Sequence, residues 1–231
     1  VISNMKNIIF HHPLPLNYNA TSASGIRPVR MLEAFKSLGY NVDLVVGYGK
    51  ERKKAIKRIQ EEIRQGKRYE FVYSESSTMP TLLTEPSHLP LYPCLDFSFF
   101  KYLKNQGIPI GLFYRDIYWL FDNYGSNLSP FKARVARFFY KYDLKQYKKS
   151  LTRLYLPSLK MGEYIPMIPS DLFCALPPGH IGEDCFEQTQ QSKLEKKAQI
   201  ELLYIGGLSN HYQMHKLFSA LSHFRPYEVK F

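Results

Sequence analysis

Arg115 and Asp116 are the pair in this chain best suited to chemistry. They follow the apolar run Pro109-Ile110-Gly111-Leu112-Phe113-Tyr114, so a guanidinium and a carboxylate stand together at the end of a buried strand. Asp116 can orient a hydroxyl or stabilise developing positive charge. Arg115 is always charged and cannot serve as a base, but it can hold a phosphate or a carboxylate. A plain strand-end ion pair is the competing reading. Glu75 lies beyond another short strand among Ser74, Ser76 and Ser77, a loop fit either to bind sugar hydroxyls or to cap a helix. His11 and His12 end the first strand and are expected to face one cleft. They have no third partner in the sequence for a metal, and none is expected.

Ser24-Gly25-Ile26-Arg27 opens a helix, where Gly25 permits close backbone approach and the helix N-terminus favours a diphosphate. The alternative is a turn that needs glycine for its backbone. The spacing from Gly25 to Pro28 is not GxGxxG, so a nicotinamide cofactor has no support. Ser158 precedes a short helix and suits an N-cap. Gly206-Gly207 ends the strand Leu202 to Ile205.

These residues need elements to place them, and the apolar periodicity supplies strands alternating with helices. Strands are expected at 7–12, 41–46, 70–73, 109–114, 153–156 and 172–176. The first helix has Pro28 in its first turn, a stripe of Met31, Ala34, Phe35 and Leu38, and Gly39 at its end. Further helices are expected at 50–68, 95–105, 131–149 and, briefly, 159–165. The strand at 41–46 is continuously apolar, as in a buried parallel sheet. The fold class is α/β, a doubly wound, mostly parallel, Rossmann-like sheet. Ligands on such sheets sit at the carboxyl ends of strands, so the loops to watch are 11–27, 74–80, 115–125 and 157–162. Residues 187–199 read as a linker. A strand, a helix with Met214, Leu217, Phe218 and Leu221 on one face, and a strand at 227–231 follow it.

With 231 residues, 45% of them apolar and 15% aromatic, the chain is globular rather than disordered. Its net charge of +11 favours acidic partners such as sugar-nucleotide phosphates, anionic headgroups or nucleic acid. No RNP, KH or zinc-finger signature supports nucleic acid. Cys94, Cys174 and Cys185 are scattered and read as idle thiols in a reducing cytosol. No apolar run approaches the ~18 residues of a membrane span. The helix at 131–149 sets Phe131, Val135, Phe138 and Tyr142 among Lys132, Arg134, Arg137, Lys141, Lys145, Lys148 and Lys149. Such a helix can pack on a sheet or touch an anionic membrane surface.

Taken in order, Ser24-Gly25-Ile26-Arg27, Arg115-Asp116, Leu156-Pro157-Ser158, Leu176-Pro177-Pro178-Gly179-His180-Ile181 and Leu203-Tyr204-Ile205-Gly206-Gly207-Leu208 resemble the retaining glycosyltransferases of the GT-B fold, family 4 above all. The chain departs from them in having Arg115 for the family's His and no Arg after Gly206-Gly207. The resemblance implies an acceptor-binding Rossmann-like domain over 5–186, a linker at 187–199, and over 200–231 the start of a donor-binding domain, truncated and hence inactive as this fragment. Pro177-Pro178-Gly179 would be the hinge turn, with Gly179 supplying positive φ.

The implied activity is retaining transfer of a hexose from a nucleotide sugar to a lipid-linked or oligosaccharide acceptor in envelope or capsular polysaccharide synthesis. Arg115 and Asp116 would serve catalysis, and Ser24, Gly25, Arg27, His11, His12, Glu75, Ser158 and Gly207 would bind substrate. No cofactor is implied beyond the nucleotide-sugar donor, and no nucleic acid partner. The expected location is the cytoplasm, peripheral to the inner membrane face. The alternatives are a free-standing α/β module docking anionic lipid, or a sugar-nucleotide epimerase of the same architecture.

Overall fold

Parallel strands need long crossovers, and helices supply them. The computed structural model describes residues 5–179, 200–201, 213–223 and 229–230. Six strands, β1 (Asn7–His12), β2 (Asn41–Val46), β3 (Val72–Glu75), β4 (Ile110–Phe113), β5 (Arg153–Leu156) and β6 (Phe173–Ala175), form one all-parallel sheet in the order β2-β1-β3-β4-β5-β6. The order reverses between β1 and β3. Right-handed crossovers then put α1 (Ala23–Ser37) on one face, and α2 (Gly49–Arg64), α3 (Leu95–Asn105) and α4 (Pro130–Ser150) on the other. The core agrees: Leu32 of α1 joins Phe10, Tyr73 and Phe113, whereas Ile59, Phe100 and Leu144 join Ile9, Val72, Ile110 and Leu154. The fold is the doubly wound, Rossmann-like α/β class read from the sequence.

Several boundaries and faces differ from expectation. Helix α1 begins at Ala23, so Pro28 falls in its second turn, where it withholds the N–H that would bond the Ser24 carbonyl. Its buried residues are Pro28, Val29 and Leu32, while Leu38 is 72% exposed. Of the expected stripe, Met31 and Phe35 pack against the cluster of Phe10, Leu32, Tyr73 and Phe113, whereas Ala34 and Leu38 face outward. Strand β2 is an edge strand with only Val45 buried, so its unbroken apolar run does not mark a central position. Ser129 caps α4, its Oγ accepting from the Lys132 N–H at 3.4 Å, and Pro130 opens the helix. Ala133, Ala136, Tyr140, Leu144 and Tyr147 pack inward. Residues 159–164 form a 3-10 helix.

The first compact unit runs to Pro178, and the expected boundary at 186 and linker at 187–199 lie outside the described residues. Gly179 has no left-handed φ, and a Cβ there would meet nothing within 4 Å, so the expected positive-φ hinge is corrected. In the second unit β7 (Ile200–Glu201) pairs in parallel with β8 (Val229–Lys230), and α5 (Met214–Leu221) lies between them in sequence. Of the helix face expected in α5, Met214 is buried and Phe218 is 51% exposed.

Candidate functional site

Successive side chains of a strand point to opposite faces. This alternation sorts the polar residues at the strand ends into two networks. His11 and Ser74, register partners on β1 and β3, share the α2–α4 face. His11 Nδ1 lies 2.8 Å from Ser74 Oγ, and His11 Nε2 lies 2.9 Å from Asp96 Oδ1. Asp96 sits in the first turn of α3, where the helix dipole favours a carboxylate. Arg52 of α2 clamps it with two bonds, Nε to Oδ1 at 2.8 Å and Nη2 to Oδ2 at 3.0 Å. Arg52 Nη1 also donates to the carbonyls of Pro13 at 2.8 Å and Gly47 at 2.6 Å. Burial pushes the Asp96 carboxyl up, but the His11 hydrogen bond and the Arg52 charge outweigh it and hold it below its ordinary value.

Serine, histidine and aspartate in contact are the residue types of a nucleophilic triad. Ser74, however, has no exposed surface, and Asp96 is committed to Arg52. This network ties β1, β3, α2 and α3 together. His11 therefore does not share a cleft with His12, because adjacent strand residues cannot face the same side.

The second network lies on the α1 face. The Tyr73 hydroxyl donates to Glu75 Oε1 at 3.0 Å, and Arg115 Nη2 donates to Glu75 Oε2 at 3.3 Å. Arg27 Nε is 3.5 Å from Glu75 Oε1, and its guanidinium lies 3.6 Å from the centre of the Phe113 ring, a cation–π contact. Burial drives the Glu75 carboxyl above its usual value, against the pull of Arg27 and Arg115. Two guanidinium groups thus face one carboxylate. Arg27 Nε and Nη2 are buried and make no hydrogen bond. The Arg115 backbone is fixed by its N–H to Ser76 Oγ at 3.1 Å.

Arg115 also lines a cavity of about 340 Å³ together with His12, Ser24, Gly25, Ser77 and Thr78. Asn17, Asn19, Thr21 and Ser22 of the loop before α1 complete a wall rich in hydroxyls and amides. The cavity stands at the carboxyl ends of β1, β3 and β4, beside the reversal in strand order, where open α/β sheets hold ligands. Burial lowers His12 to about 4, so its ring is neutral at neutral pH. Its Nδ1 is 3.0 Å from the Leu14 carbonyl and donates there, which leaves Nε2 as an acceptor. Gly25 is required by packing: a Cβ would sit 2.5 Å from Ala20 Cβ, so a side chain would push the loop off α1. Its N–H is not a free donor, since it bonds the Ser22 carbonyl at 3.0 Å.

Of the residues singled out in the sequence, His12, Ser24, Gly25 and Arg115 come together in the cavity, and Glu75 and Arg27 adjoin Arg115. Asp116 is not in the cavity wall. Its Oδ1 accepts from the Tyr118 N–H at 3.1 Å, and burial raises its carboxyl. Ser158 caps the 3-10 helix, accepting from the Lys160 N–H at 3.3 Å. Gly207 lies outside the described residues. Sequence reasoning passed over Arg52 and Asp96. Asp96 was the findable one, a lone acid inside Leu95-Asp96-Phe97-Ser98-Phe99-Phe100. Among the described residues no three His, Cys, Asp or Glu side chains are placed to hold a metal.

No family model matches the chain, and no curated protein matches it. Fold and site together define an α/β protein with a six-stranded parallel sheet and a polar cavity at its switch point, with an arginine in the wall.

Proposed function

We propose that the first unit is the acceptor-binding domain of a retaining glycosyltransferase that moves a hexose from a nucleotide sugar to a lipid-linked or oligosaccharide acceptor. The observation that carries this reading is Arg115, set in a cavity wall where the hydroxyl and amide groups of Asn17, Asn19, Thr21, Ser24, Ser77 and Thr78 stand among apolar residues such as Leu14, Leu16 and Pro28. Sugar hydroxyls need such small donors and acceptors, and a phosphate or acidic sugar group needs the guanidinium. The neighbouring Arg27 gives the site a surplus of positive charge over Glu75. His12 Nε2 supplies an acceptor without adding charge.

Retaining transfer needs no strong protein base, because the departing diphosphate can take the acceptor's proton. The domain's task is then to position the acceptor and stabilise charge. The test uses the product of the whole gene with radiolabelled UDP-, GDP- and ADP-hexoses and a lipid extract. Label is expected in a lipid or oligosaccharide product, and Arg115→Ala is expected to lower kcat/KM about 10²-fold. Arg115→Lys should restore little, since an ammonium lacks the planar fork. Absence of transfer from all three donors, or transfer unaltered in Arg115→Ala, would overturn the reading.

A further inference from the structure

The outer face of α4 and the loop before it combine apolar and basic side chains in a way the glycosyl-transfer reading does not use. The helix turns its small residues Ala133 and Ala136 inward and leaves Phe131 75% and Phe138 63% exposed. Seven residues apart, these two rings lie on one side of the helix. The preceding loop adds Phe121 and Leu128, which are 53% and 45% exposed. Leu128, Phe138, Arg134 and Lys141 line a groove of about 730 Å³ between that loop and α4. Such a concentration of exposed apolar side chains on one element marks an interaction surface.

The charge on this face decides what it fits. Lys132, Arg134, Lys141, Lys145 and Lys148 are all exposed. The only acid in α4, Asp143, is buried, and Asp122 is a single exposed acid at the groove. Among the described residues no ion pair engages any of these five bases. Helix α2 is equally basic but different in kind. Its Arg58 and Arg64 are paired with Asp43, Glu61 and Glu62, and none of its residues is an exposed large apolar one. No helix of the described residues is long and apolar enough to cross a membrane.

We infer that the α4 face docks on the surface of an anionic bilayer. Phe131, Phe138, Phe121 and Leu128 would enter the headgroup–acyl boundary while the unpaired bases hold headgroup phosphates. A helix with an apolar strip and a rim of one charge sign lies in the interface plane, attracted by anionic lipid and anchored by the apolar burial. The two ingredients together separate this partner from nucleic acid, which would draw on the bases and leave the phenylalanines without a role.

The experiment is flotation of the full chain with vesicles of phosphatidylcholine containing 30% phosphatidylglycerol, against vesicles of phosphatidylcholine alone, as in any assay of about this charge density. Binding is expected only to the anionic vesicles. Phe131→Ser/Phe138→Ser and Lys132→Glu/Arg134→Glu/Lys141→Glu should each lower it at least about tenfold. Lys53→Glu/Lys54→Glu/Lys57→Glu on α2 removes as many bases and should lower it less than about twofold. All these side chains are exposed, and thermal melting checks that each variant is folded. Three results overturn the proposal: no flotation with anionic vesicles, equal loss in the α2 and α4 charge variants, or tighter binding to a single-stranded RNA that the phenylalanine substitutions leave unchanged.

Discussion

Arg52 and Asp96 meet in a two-point ion pair, Nε to Oδ1 at 2.8 Å and Nη2 to Oδ2 at 3.0 Å, with both side chains buried. Removing one member leaves the other charged and without compensation, which in buried pairs costs about 3–5 kcal/mol. Arg52→Ala is expected to lower the free energy of urea unfolding by about that amount. Arg52→Met/Asp96→Leu should recover only part of the loss, because no charge is left to solvate but His11 Nε2 and the carbonyls of Pro13 and Gly47 lose their partners. A cost below about 1 kcal/mol for Arg52→Ala, as for surface pairs, would show that this network does not hold β1, α2 and α3 together.

His12 and Asp143 should give pH dependences of opposite sign. Burial lowers His12 from 6.5 to about 4, so its contribution to stability is complete above pH 6.5 and is lost as pH falls toward 4. Asp143 accepts from the Thr81 N–H at 2.7 Å through Oδ2, while its Oδ1 has no hydrogen-bond partner. Burial raises it from 3.8 to about 7, so its contribution is complete below pH 3.8 and is lost as pH rises through 7. Each effect amounts to about 3–4 kcal/mol, and between pH 4 and 6.5 they largely cancel. His12→Gln should therefore lose stability as pH rises through that window, and Asp143→Asn should gain it. Urea midpoints across the window check this. Both variants tracking the unsubstituted protein would remove the assignment.

The strand–helix alternation was legible because each strand is a short apolar run bounded by turns. The sorting of strand-end residues onto two faces was also implicit, since His11 and His12 are adjacent and a strand alternates. What could not be read was partnership across long separations. Arg52 stands among Lys50, Lys53 and Lys54 in a helix that looks solvated, and nothing local distinguishes it from them. Its selection for the interior depends on Asp96 arriving from another helix. The same holds for α4, where an apolar count identifies Phe131 and Phe138 but not the side they take. The inward side is taken by Ala133, Ala136, Tyr140, Leu144 and Tyr147 instead.

Gly25 and Gly179 provide a paired test of where glycine matters. A Cβ on Gly25 would stand 2.5 Å from Ala20 Cβ, and the loop at 14–22 would have to move. Gly25→Ala is expected to cost about 1–3 kcal/mol and to open the cavity wall. Gly179→Ala meets nothing within 4 Å and needs no unusual φ, so a change within about 0.5 kcal/mol is expected. Thermal unfolding of the two variants side by side decides it, and equal melting temperatures would contradict the close packing of the loop.

Asp116 has a structural task that can be separated from a chemical one. Its Oδ1 accepts the Tyr118 N–H at 3.1 Å and so closes the turn after β4. Asparagine keeps that acceptor and removes the charge. Asp116→Asn should therefore leave stability within about 0.5 kcal/mol, whereas Asp116→Ala loses a cap worth about 1 kcal/mol. If the carboxylate stabilises charge in hexose transfer, Asp116→Asn lowers kcat about 10²-fold at unchanged stability. Full transfer by Asp116→Asn would confine this residue to the turn and leave Arg115 as the residue of that strand end that meets substrate.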